Sequence, residues 1–77
     1  MKLSFSVHFQ QAVIERGINI DHLKKTIRNP DASRVSFGGR IVARKTLDDK
    51  TLEVVYIQET RKKNECRIIT AYYLLNN

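Results

Sequence analysis

The groups in this chain able to do chemistry near neutral pH are two histidines, one cysteine and a surplus of cations. His8 is followed at helical spacing by Ala12 and Arg16, which puts an imidazole and a guanidinium about two turns apart on one side of a helix. An imidazole titrates close to neutrality and can give or take a proton, and a guanidinium binds phosphate through its fork. Far along the chain, Thr70 and Tyr72 interrupt an apolar run and alternation places them on one face of a strand. The threonine hydroxyl can donate to a phosphate, and the tyrosine can stack on a base or donate through its phenol. Arg40, Arg44 and Lys45 decorate one strand, with Lys45 on the face opposite the two arginines. Arg61, Lys62 and Lys63 form a basic loop beside Arg67.

Each of these residues has an ordinary reading as well. His8 fits as a polar residue of a first helical turn with no further task. Arg16 fits as an ion-pair partner of Glu15 or as cover for a helix end. Threonine is a good strand residue, and tyrosine is a common core residue with a wet tip. Charge runs are usually solvated faces. His22 sits among charged residues and reads as solvent-exposed, Tyr73 as core or interface. The whole balance is more specific: 14 Lys and Arg against 8 Asp and Glu give a net charge of +6, a field that attracts polyanions.

Several chemistries have no support. Cys66 is the single cysteine, so an internal disulfide is excluded, and it reads as a small buried hydrophobe. His8, His22 and Cys66 lack metal-ligand spacing, so neither metal nor cofactor is expected. There is no glycine-rich phosphate loop, no Ser–His–Asp order and no paired-carboxylate motif. No apolar run approaches the ~20 residues needed to cross a bilayer, and the opening residues do not read as a signal peptide. The expectation is a soluble cytoplasmic protein with no membrane partner.

The elements that must position these residues follow from periodicity. With 77 residues, one domain spanning 1–77 is expected, with a thin core that a partner would help to stabilise. Ser6 is a good N-cap for a helix that Gly17 stops, and Asn19 caps a second helix closed by Asn29-Pro30. After residue 31 the period changes from 3.6 to 2. Ala32 to Phe37 and Arg40 to Leu47 flank Gly38-Gly39, a two-residue hairpin signal, and two more strands cover 51–58 and 65–73. Leu3, Phe5 and Val7 alternate, so a short leading strand competes with the N-cap at Ser6. The fold expected is α+β: two N-terminal helices packed on one face of an antiparallel sheet of three or four strands.

His8 opening the first helix, Arg16-Gly17-Ile18 between the helices and Ile68-Ile69-Thr70-Ala71-Tyr72 in the last strand together resemble a family of small prokaryotic domains related to the RelE/ParE toxin superfamily. The resemblance runs from about His8 to Tyr73. It implies a RelE-like fold and metal-independent cleavage of RNA, in which the 2′-hydroxyl attacks the adjacent phosphate. His8, Arg16, Thr70 and Tyr72 would then be the catalytic set; the nucleic-acid contacts expected from the placement of charge are Arg40, Arg44, Lys45, Arg61, Lys62, Lys63 and Arg67. The implied partners are RNA, with the ribosome as a further candidate, and a cognate antitoxin. Many relatives carry an arginine one turn after the histidine, and many related toxins end in longer basic tails, whereas here that place holds Ala12 and the sequence stops at Asn76-Asn77. The alternative is a non-catalytic module of the same fold that binds nucleic acid or protein.

Overall fold

A computed structural model describes residues 1–59, 61 and 64–75. The chain opens on a strand, β1 (Lys2–Phe5), and continues through α1 (Val7–Glu15), α2 (Ile20–Arg28), β2 (Ala32–Val35), β3 (Ile41–Leu47), β4 (Lys50–Gln58) and β5 (Glu65–Leu75). The strands form one five-stranded sheet in the order β1-β5-β4-β3-β2. β1 runs parallel to β5, and the other pairs are antiparallel.

This corrects the expected sheet of three or four antiparallel strands behind two N-terminal helices. The sheet is mixed, it has five strands, and a strand precedes the helices. The two readings of residues 3–7 both hold, one after the other. Leu3 and Phe5 alternate into the core as a strand, and Ser6 then starts a helix one residue later.

Ser6 makes that change of structure possible. Its N–H donates to the Ile68 carbonyl as the last rung of the parallel pairing. Its hydroxyl accepts from Phe9 N–H at 3.2 Å, capping α1, and donates to the Ile69 carbonyl at 3.2 Å. Gly17, at φ 63, ends α1 in a left-handed turn that a side chain would resist. Asn19 restarts the helix by accepting from Asp21 N–H and His22 N–H.

Both helices lie on one face. Phe9, Ile18 and Leu23 pack there against Ala43, Leu52, Val54, Tyr56, Cys66, Ile68 and Ala71. On β5 this set changes parity, from Cys66 and Ile68 to Ala71. The cause is a register shift: Val55 pairs with Thr70 while Tyr56 pairs with Ile68, leaving Ile69 as an extra residue. With strict alternation, Thr70 and Tyr72 would face the helices. The bulge turns Ala71 and Tyr73 inward instead and puts Thr70 and Tyr72 on the open face.

The first hairpin also differs from its expected form. Ser36 N–H donates to the Arg40 carbonyl, so three residues, Phe37 to Gly39, make the connection instead of two. Gly38 and Gly39 hold φ of 71 and 76, as a pair of glycines permits, and Phe37 is lifted out of the strand to the tip.

Two predictions follow from this packing. Ser6→Ala removes the cap and the bond to Ile69 together, and should cost about 1–2 kcal/mol in urea unfolding, near the upper end for a lost N-cap. Burial pushes the Cys66 thiol and the Tyr56 phenol above their ordinary values, with the charge of Cys66 adding to the effect at Tyr56. The folded state therefore favours both neutral forms. Their contribution is intact below the ordinary thiol value and is lost as pH rises through roughly 8.5 to 10 and beyond. Melting temperature should fall over that range, and Cys66→Ala should flatten the onset of the fall.

Candidate functional site on the open sheet face and its edge

The face away from the helices can be read rung by rung from the strand register. One rung runs Thr70, Val55, Val42, Arg34, and the next runs Tyr72, Glu53, Arg44, Ala32. Polar residues stand at both sides of this face, with valines between them.

At the β5 side, the parallel pairing ends at Phe5 and Ile68, so β1 leaves the rest of that edge uncovered. Arg16, the C-cap of α1, reaches that edge. Its Nη1 donates to the Ala71 carbonyl at 2.9 Å and to Thr70 Oγ1 at 3.3 Å. Two of the expected site residues, 54 positions apart in sequence, are thus in contact. Glu15 accepts from Gln11 at 2.8 Å, and no ion pair joins it to Arg16 among the described residues. Tyr72 lies on the same face as Thr70, one rung further along. His8 is exposed in the first turn of α1, two residues after the Ser6 that contacts Ile69. Eight residues of helical rise put it about 12 Å along the axis from Arg16. The structure therefore joins Arg16 to Thr70, sets Tyr72 beside them and leaves His8 at the other end of α1. Ala12, between them, packs against the core.

The expected nucleic-acid contacts divide. Arg44 is on the open face, where its Nε donates to Glu53 in an ion pair. The arginine side chain is 55% exposed and the glutamate side chain 7%. Arg40 precedes Ile41 in extended conformation and by alternation shares the face of Arg44. Lys45 points to the helix side, where it donates to the Asn29 carbonyl at the end of α2 and lies 3.6 Å from Asp31. That is a favourable place for a cation at a helix C-terminus. Arg67 pairs in register with Ser4 and lines a cleft with Arg61, Glu59 and Glu65, so carboxylates share that region with the arginines. Lys62 and Lys63 lie outside the described residues.

Three features were not legible as site features in the sequence. Arg34 stands beside Val42 on the open face, and only the three-residue hairpin connection sets that register. Glu53 reads as a solvated strand residue, yet it is 5% exposed between Arg44 and Tyr72. His22, expected in solvent, is half-buried, and its Nδ1 lies 2.8 Å from the Tyr73 hydroxyl, which also accepts from Asn19 N–H at 3.2 Å. Among the described residues no group of three His, Cys, Asp or Glu could hold a metal ion, and no helix is long and apolar enough to cross a membrane.

The Arg44–Glu53 pair yields a stability prediction that separates Arg44's structural part from any binding part. Arg44→Ala leaves a buried carboxylate without its partner and should cost about 1–3 kcal/mol in urea unfolding. Adding Glu53→Gln should recover much of that loss, because the buried charge is then gone.

No match was found among curated proteins or among solved structures. A family model described as a domain of unknown function, DUF4258, matches residues 5–73, which takes in both helices, the hairpins and all of the contacts between Arg16 and β5. By that match the chain belongs to the DUF4258 family.

Proposed function

We propose that this chain is a relative of the RelE/ParE toxins and acts as a metal-independent endoribonuclease, a single-domain toxin of the cytoplasm held in check by a cognate antitoxin. In this reading the 2′-hydroxyl of RNA gives up its proton and attacks the adjacent phosphate, the P–O5′ bond breaks, and the leaving 5′-oxygen takes up a proton, which yields a 2′,3′-cyclic phosphate end and a 5′-hydroxyl end. Ribosome-bound mRNA is one candidate substrate. The observation that carries the proposal is the Arg16 guanidinium, held against Thr70 Oγ1 and the Ala71 carbonyl at the uncovered edge of β5. A guanidinium anchored on one side presents its remaining N–H groups for a phosphate and supplies the positive charge that the pentavalent transition state needs. Thr70 can add a hydroxyl donor. Tyr72, on the same face, can stack on a neighbouring base or donate through its phenol. His8 serves as the acid or base, free of any hydrogen bond or ion pair to another described residue. The net charge of +6 draws the polyanion to the surface.

A second reading, a non-catalytic binding module, is favoured by one observation. Ala12 is packed into the core, so the place one turn after His8 offers no side chain to a phosphate. Purified protein incubated with RNA, with and without ribosomes, separates the two. The nuclease reading expects new ends carrying 2′,3′-cyclic phosphate, with the rate lowered about 10²- to 10⁴-fold by His8→Ala and strongly by Arg16→Ala. RNA binding without cleavage under either condition would establish the module instead.

A further inference from the structure

The tip of the β2–β3 hairpin carries the most exposed aromatic ring of the described residues. Phe37 is 88% exposed, and Val35 beside it is 79% exposed. The ring has no aromatic partner among the described residues, and two glycines in left-handed conformation hold it clear of the sheet. A ring held in solvent at the tip of a hairpin is free to stack on a flat ligand.

The surroundings of Phe37 say what kind. Arg34, Arg40 and Arg44 surround Val42 on the face away from the helices, and Val42 is nonetheless only 8% exposed. Val55 on β4 is its register partner across that face, and Arg34 stands in register with it on β2. Arg44 is aimed by its bond to Glu53. Arg34 and Arg40 have no carboxylate within ion-pair distance among the described residues. Arg34 and Arg44 flank an open cleft of about 240 Å³ with Val42 in its lining. Guanidinium groups on the face of this hairpin, with an exposed ring at its tip, match a polymer that alternates phosphates with unstacked bases. A duplex could use the arginines, but its stacked bases would give the ring nothing to stack on. One ring and one valine are too little apolar surface to anchor in a membrane.

We propose that this hairpin is a holding site for single-stranded RNA, in which Phe37 stacks on a base and Arg34, Arg40 and Arg44 bind the backbone phosphates on either side. The proposal deepens the RNA-directed reading above and rests on it for the identity of the polymer. The rung from Thr70 through Val55 and Val42 to Arg34 spans three inter-strand steps, about 14 Å. A strand with one phosphate at Arg16 and Thr70 would therefore cross the open sheet face at right angles to the β-strands and leave over the hairpin.

The test uses a fluorescein-labelled 12-nucleotide RNA bearing 2′-O-methyl groups, which cannot attack its own phosphates, so that binding is read by anisotropy without cleavage. Wild type should bind this strand more tightly than the same sequence in a duplex. Phe37→Ala should weaken single-strand binding roughly 5- to 100-fold and leave duplex binding unchanged. Phe37→Tyr should restore it and Phe37→Leu should not. Arg34→Gln should reduce the slope of log affinity against log salt by about 0.7. Because these side chains are exposed, the melting temperature should be unchanged, which separates loss of binding from loss of fold. Single-strand affinity indifferent to Phe37→Ala, or equal affinity for single strand and duplex, would overturn the proposal. So would Phe37-dependent binding to anionic lipid vesicles with no RNA binding. Phe37-dependent RNA binding by a protein that cleaves nothing would retire the nuclease reading and leave this site standing.

Discussion

Ser6 joins three parts of the structure that otherwise have no reason to meet. Its backbone closes the pairing of β1 with β5, its hydroxyl starts α1, and the same hydroxyl holds the Ile69 carbonyl at the bulge. Because a strand must end before a helix can begin, β1 covers only the first part of β5. The uncovered remainder is where Arg16 docks. Had β1 continued for three more residues, it would have paired with the Ala71 carbonyl that Arg16 now occupies. The short strand, the cap and the arginine are therefore one arrangement.

The bulge at Ile69 settles which residues share the working face. On one side of it β5 fills the core with Cys66 and Ile68, and on the other with Ala71 and Tyr73. The core accommodates the change of face, since Ala71 is small and fully buried and Tyr73 finds partners for its hydroxyl in His22 and Asn19. Thr70 and Tyr72 gain the open face in the same step. There they meet a rung that carries a buried carboxylate, Glu53, whose partner Arg44 reaches from the next strand. The charged pair links the two polar sides of the face across an otherwise apolar middle.

Much of this was written in local chemistry. The N-caps at Ser6 and Asn19, the stop at Gly17 and the period-2 segments of β3 and β4 are signals carried by a few adjacent residues, and the structure honours each. The common face of Thr70 and Tyr72 was also legible, because alternation within 70–73 is local. What depends on pairing between distant segments was not. The parallel partnership of Lys2–Phe5 with Glu65–Ile68 leaves no periodic mark that distinguishes it from a capped helix start. The extra residue at Ile69 appears only against the register of β4. A shift of one residue in the first hairpin, invisible in the Gly38-Gly39 signal, moved Phe37 out of the strand and set Arg34 beside Val42. His22 looked solvated because the phenol that approaches it comes from position 73.

The parallel pairing of β1 with β5 also imposes an order of events on synthesis. Every contact that builds the Arg16 edge joins the first quarter of the chain to residues 68–71, and the loop closed by Ser6 and Ile69 spans 63 positions. Such a closure is entropically slow and has no local substitute. While the ribosome is still translating the stretch before Thr70, Arg16 has no anchor and the face that would hold RNA has no edge. A chain that stops between residues 58 and 65 carries both helices and four of the five strands of the described sheet, yet lacks the strand that β1 and β4 both pair with. Synthesis through residue 71 is thus a precondition for the Arg16 edge to form.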